Sequence, residues 1–207
     1  MPLISKLSSN EADILLWQLE ESSDELLGMM TLSDPETDFL KKLHGEKRRA
    51  EWLCWHLMVR NYFGCEQIEI SYDSSGRPIV DRKLNREISV SHGGNIVAVI
   101  ISKSFCGIDI ESLNRNFSRV QNRFMTASEC NILTPLSDIA DVAAIGWCAK
   151  ECAYKISRCD GIDFIRDLTI ISASRENRTL TIKFSHGSTF SINVEIIDNH
   201  IICHSIK

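Results

Sequence analysis

The chain has 207 residues, 43% of them hydrophobic and 25% charged, with a formal net charge of −5 at neutral pH. That is enough apolar material for a substantial core, in one domain or two small ones, while the negative balance gives no global attraction to nucleic acid and leaves any anion site local. No run approaches the roughly 18 apolar residues of a membrane span, and residues 1–10 lack the apolar stretch of a secretion signal, so the sequence reads as a cytoplasmic protein.

Residues 14–19 (Ile-Leu-Leu-Trp-Gln-Leu) read as a first strand and 23–30 as a short helix. Ser33-Asp34-Pro35-Glu36 is a strong helix start, with a capping side chain followed by proline in the first turn. Phe39, Leu40 and Leu43 supply the apolar side of that helix before a break at His44-Gly45. A longer helix is expected over 47–63, with Trp52, Trp55, Val59 and Phe63 at helical spacing and Gly64 as its stop. Its first turn carries Lys47, Arg48 and Arg49, whereas a merely solvated helix start favours acids; three cations there suit an anion held at the free N–H groups. Residues 68–72 alternate as a strand, Asp73-Ser74-Ser75-Gly76 is a turn, and 88–92 and 96–101 pair around Gly93-Gly94-Asn95.

In Cys106-Gly107-Ile108-Asp109-Ile110-Glu111 the isoleucines alternate with the acids. On a strand Ile108 and Ile110 enter the core while Asp109 and Glu111 share the other face, about 7 Å apart. Two carboxylates that close invite a hard cation such as Mg²⁺, although a half-exposed strand gives the same alternation. A polar stretch, 112–118, precedes a helix expected at 120–125 and a capping box at Thr126–Glu129. The main helix of the second half spans 137–157. Within it Trp147, Glu151 and Lys155 fall at i, i+4 and i+8 on one face, a spacing equally open to an ordinary surface ion pair. Strands follow at 168–171, 180–184, 190–197 and 201–206. The eight cysteines are scattered without a C-x-x-C pair and read as reduced, mostly buried thiols. No P-loop, dinucleotide-binding fingerprint or nucleophile elbow is present. Ser91-His92-Gly93 is echoed at Ser185-His186-Gly187, too short a repeat to establish duplication.

Taken together and in this order, Gly107-Ile-Asp-Ile-Glu111 and Trp147-x-x-Lys150-Glu151-x-x-x-Lys155 resemble the 4′-phosphopantetheinyl transferases, the Sfp-type branch in particular. The resemblance runs over about residues 47–155, with Gly76-Arg77-Pro78 and Ser91-His92 in support. It implies an α+β fold, a pseudo-dimer of two similar α/β halves, each a small, mainly antiparallel sheet packed with a long helix. Residues 1–103 would be the nucleotide-clamp half and 104–207 the metal and catalytic half, together one compact monomer with internal pseudo-twofold symmetry.

The implied activity is Mg²⁺-dependent transfer of phosphopantetheine from coenzyme A to a serine of an apo acyl or peptidyl carrier protein, releasing 3′,5′-ADP. Asp109, Glu111 and Glu151 would hold the metal. Glu151, Lys155 and Asp109 would be catalytic, Glu151 removing the serine proton, with Lys155 also binding the cofactor. Lys47, Arg48 and Arg49 would clamp the 3′-phosphate, Arg77 the adenine side, and Ser91 and His92 the pyrophosphate; Lys150 is a further nucleotide contact or a structural residue. Carrier-protein contacts would fall in 112–129. His56 stands where relatives often have arginine, so that phosphate contact is expected to be weaker or pH-dependent. The rival reading is a non-catalytic coenzyme A or carrier-protein binding module, which gives no reason for a third acid beside two others. Neither nucleic acid nor membrane is an expected partner.

Overall fold

The computed structural model describes residues 3–8, as backbone, and 11–207; the opening and closing residues of the segment 1–10 read above thus lie outside the described residues. The chain divides into two units, Met1–Lys103 and Ser104–Lys207.

In the first unit β1 (Leu3–Ser8) and β2 (Ala12–Gln18) form a hairpin, followed by α1 (Ser23–Leu27), α2 (Asp34–Lys42), α3 (Glu46–Phe63), β3 (Ile70–Tyr72), β4 (Pro78–Val80), β5 (Glu87–Gly93) and β6 (Ile96–Ser102). The sheet order is β1-β2-β6-β5, all antiparallel, with β3 and β4 a separate pair. β6 is buried along its whole length, which is why it reads as an unbroken apolar run rather than an alternating one. Its Val97, Val99 and Ile101 join Leu15 and Trp17 of β2 against Leu53, Leu57 and Val59 of α3. The helix α3 begins at Gly45 (φ 88°) and ends at Gly64, whose left-handed φ of 61° lets its N–H reach back to the Arg60 and Asn61 carbonyls.

The middle of α3 is buried on every side, so its polar residues need internal partners. Arg60 donates to both oxygens of Glu36 (2.8 and 3.0 Å) and to the Glu66 carbonyl (2.7 Å). His56, wholly buried, lies between Glu36 (3.3 Å) and the Tyr72 hydroxyl (3.2 Å), which also accepts from the Trp52 indole (2.6 Å). The His56 ring thus belongs to an internal network and does not reach solvent.

The second unit comprises β7 (Cys106–Ser112), α4 (Ala127–Leu133), α5 (Val142–Ser157), β8 (Leu168–Ser174), β9 (Thr179–Phe184), β10 (Thr189–Ile197) and β11 (His200–Ile206). Its antiparallel sheet runs β7-β11-β10-β9-β8, and α5 packs on it through Cys148, Ala149, Cys152 and Ile156, all essentially inaccessible. In each unit the strand that leads into the helical segment pairs antiparallel with the unit's last strand, β2 with β6 and β7 with β11; only the second unit returns by a continuous meander, β8 to β11. The architecture is α+β.

Three local readings shift. α5 begins at Val142 rather than 137, because Asp141 caps the Ala143 and Ala144 N–H groups and Thr134–Leu136 is a 3₁₀ turn containing Pro135. The expected helix at 120–125 is only a 3₁₀ turn, Gln121–Arg123; the regular helix α4 follows the capping box instead. β7 is buried on both faces up to Glu111, not half-exposed. All eight cysteines are free thiols, and among the described residues no helix is long and apolar enough to cross a membrane.

Candidate active site

Gly107 explains how the two motifs meet. A Cβ at this position would stand 2.4 Å from the Cys152 carbonyl and 3.0 Å from the Ile156 nitrogen, so only glycine lets α5 lie this close to β7. The approach brings Lys155 to Asp109 (Nζ to Oδ1 2.7 Å) and to the Ile108 carbonyl (3.0 Å). It also brings the Trp147 indole N–H to Glu111 Oε1 (2.8 Å). The acids are deeply placed, Asp109 5% and Glu111 8% exposed. Arg115, just beyond the strand, donates to the same Glu111 oxygen (2.5 Å).

The electrostatics bind these residues into one site. Burial, reinforced by the charges of Asp109 and Glu111 and opposed by Lys155, pushes the Glu151 carboxyl up to about 7. Glu111 is raised by burial and by Asp109, against the pull of Arg115 and Trp147. Burial alone would lower Lys155, but the Asp109 carboxylate prevails and keeps it above its ordinary value. Glu111 and Glu151, both raised with Asp109 among the causes, favour a group that neutralises their charge. All-oxygen donors fit a hard divalent cation rather than a soft one. The donor chemistry fits, although among the described residues no three His, Cys, Asp or Glu side chains stand assembled as ligands. Glu151 also borders a recess of about 550 Å³ walled by Phe117, Phe124, Trp147 and Phe164, with Arg115 and Arg123 at its lining.

Residues 105–204 match the family model described as the 4′-phosphopantetheinyl transferase superfamily. The match lies within the second unit. A protein of Candida glabrata named L-aminoadipate-semialdehyde dehydrogenase-phosphopantetheinyl transferase is 28% identical over 150 residues, a match covering 65% of this chain and 55% of that protein. The chain thus spans about half the length of this curated relative.

The residues read from sequence as binding the cofactor separate into two groups. In the first unit, Arg48, Gly76, Pro78 and His92 line one recess of about 270 Å³, floored by Trp52, Trp55 and Tyr72. Glu51, which sequence reading passed over, sits between them: its Oε1 lies 3.3 Å from His92 Nδ1 and 3.8 Å from the Lys47 ammonium. The i, i+4 spacing of Lys47 and Glu51 was the available signal; the contact to His92 is long-range. Arg49 has its Nε buried with no hydrogen bond among the described residues, a donor suited to an anion. Arg77 continues the Asp73 turn, in which both the Ser75 and the Arg77 N–H donate to Asp73 Oδ1. Ser91 is buried on β5, next to the exposed His92.

Lys150, read as a nucleotide contact or a structural residue, stands apart, and its surroundings are those of a structural residue. It is fully buried, with its ammonium 2.6 Å from Glu129 and 2.7–2.8 Å from the carbonyls of Phe124, Phe164 and Leu168. Glu129 in turn accepts from the N–H groups of Thr126 (2.8 Å) and Ile170 (2.9 Å). Breaking so deeply buried a pair costs about 3–5 kcal/mol, and this one ties α4, α5 and β8 together. Arg115 had no spacing signal, because its contact to Glu111 depends on the turn after β7.

Proposed function

We propose that this chain transfers the 4′-phosphopantetheine group from coenzyme A to a serine of an apo acyl or peptidyl carrier protein, releasing 3′,5′-ADP, as the Sfp-type enzymes it resembles do. The observation that carries the reading is the contact of Lys155 with Asp109 (2.7 Å), on a helix whose Glu151 carboxyl is pushed up to about 7 by burial and by the charges of Asp109 and Glu111. A base poised near neutrality serves proton transfer, and a pure binding module has no use for it.

In this reading Glu151 takes the proton as the serine oxygen attacks the phosphorus. The new O–P bond forms while the bond to the 3′,5′-ADP oxygen breaks. Lys155, oriented by Asp109, meets phosphate charge present in the ground state and growing during transfer. Asp109, Glu111 and Glu151 would hold Mg²⁺, which when bound draws charge off the phosphoryl oxygens. The recess of the first unit, with Arg48, Gly76, Pro78 and His92, would take the nucleotide, flanked by Lys47 and Arg49 for the 3′-phosphate. Ser91 and His92 would meet the pyrophosphate and Arg77 the adenine side. A cytoplasmic monomer completes the proposal.

Intact-mass measurement of an apo carrier protein incubated with this protein, coenzyme A and Mg²⁺ tests it. The expected result is a gain of one phosphopantetheine. Tight coenzyme A binding with no mass gain across acyl and peptidyl carriers would establish the binding module instead.

A further inference from the structure

We propose that Arg115 is the internal counter-ion of Glu111 that a divalent cation must displace, so that this arginine sets the metal affinity of the acid cluster. The inference rests on reading Asp109, Glu111 and Glu151 as the metal-binding acids.

The geometry differs between the two basic partners of the cluster. Lys155 is 24% exposed at its side chain and is tied to a backbone carbonyl as well as to Asp109. Arg115 is 52% exposed. It folds back over the strand end through a tight turn, its own N–H donating to the Ser112 carbonyl (3.0 Å). Its guanidinium takes up Glu111 Oε1, the oxygen already engaged by the Trp147 indole, so two donors occupy one acceptor of a proposed ligand. Arginine keeps its charge at every relevant pH, so freeing that oxygen means exchanging one cation for another. In the same position the guanidinium carbon lies 4.6 Å from the Phe117 ring centroid and 5.6 Å from that of Trp147, cation–π contacts that can keep Arg115 at the rim of the site once a metal takes the carboxylate. A half-exposed ion pair is weak enough to yield to a divalent ion.

Mn²⁺ binding without coenzyme A or carrier protein, followed by the electron paramagnetic resonance of free Mn²⁺, reads this directly. Arg115→Gln should bind Mn²⁺ about 2- to 5-fold more tightly than wild type, the range expected when an exposed competing pair is removed. Arg123→Gln removes another exposed cation lining the same recess and should change affinity by clearly less. Glu111→Gln should weaken binding. In wild type, saturating Mg²⁺ should shift the Trp147 emission as the guanidinium moves on its ring; Arg115→Gln should lose that shift. Unchanged affinity in Arg115→Gln, or an equal gain in Arg123→Gln, would overturn the role of Arg115 while Glu111→Gln still binds weakly. Wild-type affinity in Glu111→Gln would overturn the metal reading underneath it.

Discussion

Glu151 meets two opposed demands. Burial beside Asp109 and Glu111 raises its carboxyl from an ordinary 4.5 to about 7, so the folded protein holds this proton over a window where the unfolded chain has released it. A carboxyl raised on folding destabilises: its contribution is neutral below about 4.5 and becomes a cost as pH rises towards 7. Glu151→Gln should therefore stabilise the chain at pH 8 by on the order of 1–3 kcal/mol and give no gain at pH 4.5, read from melting curves in a chelator. The same change should lower kcat by about 10²–10⁴-fold, the usual worth of a general base, with far less effect on coenzyme A affinity. A variant that melts no higher at pH 8 would remove the electrostatic strain on which the assignment stands. Lys155→Ala should weaken coenzyme A binding and lower kcat together, because it meets charge present in both states; calorimetric titration beside steady-state kinetics separates the two. At this scale Asp109, Glu111, Glu151 and Lys155 were legible because their spacing is local to one strand and one helix. Arg115 and the Glu51–His92 contact were not, since turns and long-range packing create them.

The pairing of β7 with α5 is where local sequence becomes a site. Two glycines touch this helix and they differ in kind. A Cβ on Gly107 would meet helix backbone, the Cys152 carbonyl at 2.4 Å and the Ile156 nitrogen at 3.0 Å, whereas one on Gly146 would meet the Met125 sulfur at 2.2 Å. Methionine can turn away, and backbone cannot. Gly107→Ala should thus force strand and helix apart, costing about 1–3 kcal/mol towards the upper end, and should depress transfer by loosening Asp109 from Lys155. Gly146→Ala should cost clearly less and leave turnover near wild type. Urea unfolding with assays of both variants decides the matter; equal penalties would mean that the close approach is not what Gly107 provides. Elements with strong period or punctuation were legible: α3 between two glycines, β6 as an apolar run, α2 from its capping serine. β1 and β4 were missed because each owes its extended form to a partner strand. The start of α5 was misplaced by the competition between Pro135 and the Asp141 cap.

Across the whole chain, the two units place their buried ionisable groups under opposite pH pressure. In the first, burial lowers His56 to about 4 in spite of the neighbouring Glu36. Glu36 itself is held well below the carboxylate range, because hydrogen bonds from His56, Ser33 and Arg60 outweigh its burial. The unfolded chain protonates His56 near 6.5 and the folded one only near 4, so the stability of this unit falls as pH drops through that window. By pH 5 the loss should be about 2 kcal/mol. Glu36 adds a further loss below about 4.5, where the unfolded carboxyl takes up its proton first. Glu151 acts in the other direction over 4.5–7 in the second unit. Trp17, Trp52 and Trp55 belong to the first unit and Trp147 to the second, so a Trp147→Phe background reports the first unit alone. In that background the urea midpoint should fall between pH 7.5 and pH 5. Adding His56→Gln should lower the midpoint at pH 7.5, since Glu36 and Tyr72 lose a partner, yet flatten its dependence over the same interval. An unchanged slope after His56→Gln would place the acid sensitivity elsewhere and leave the buried imidazole without the role its partners give it.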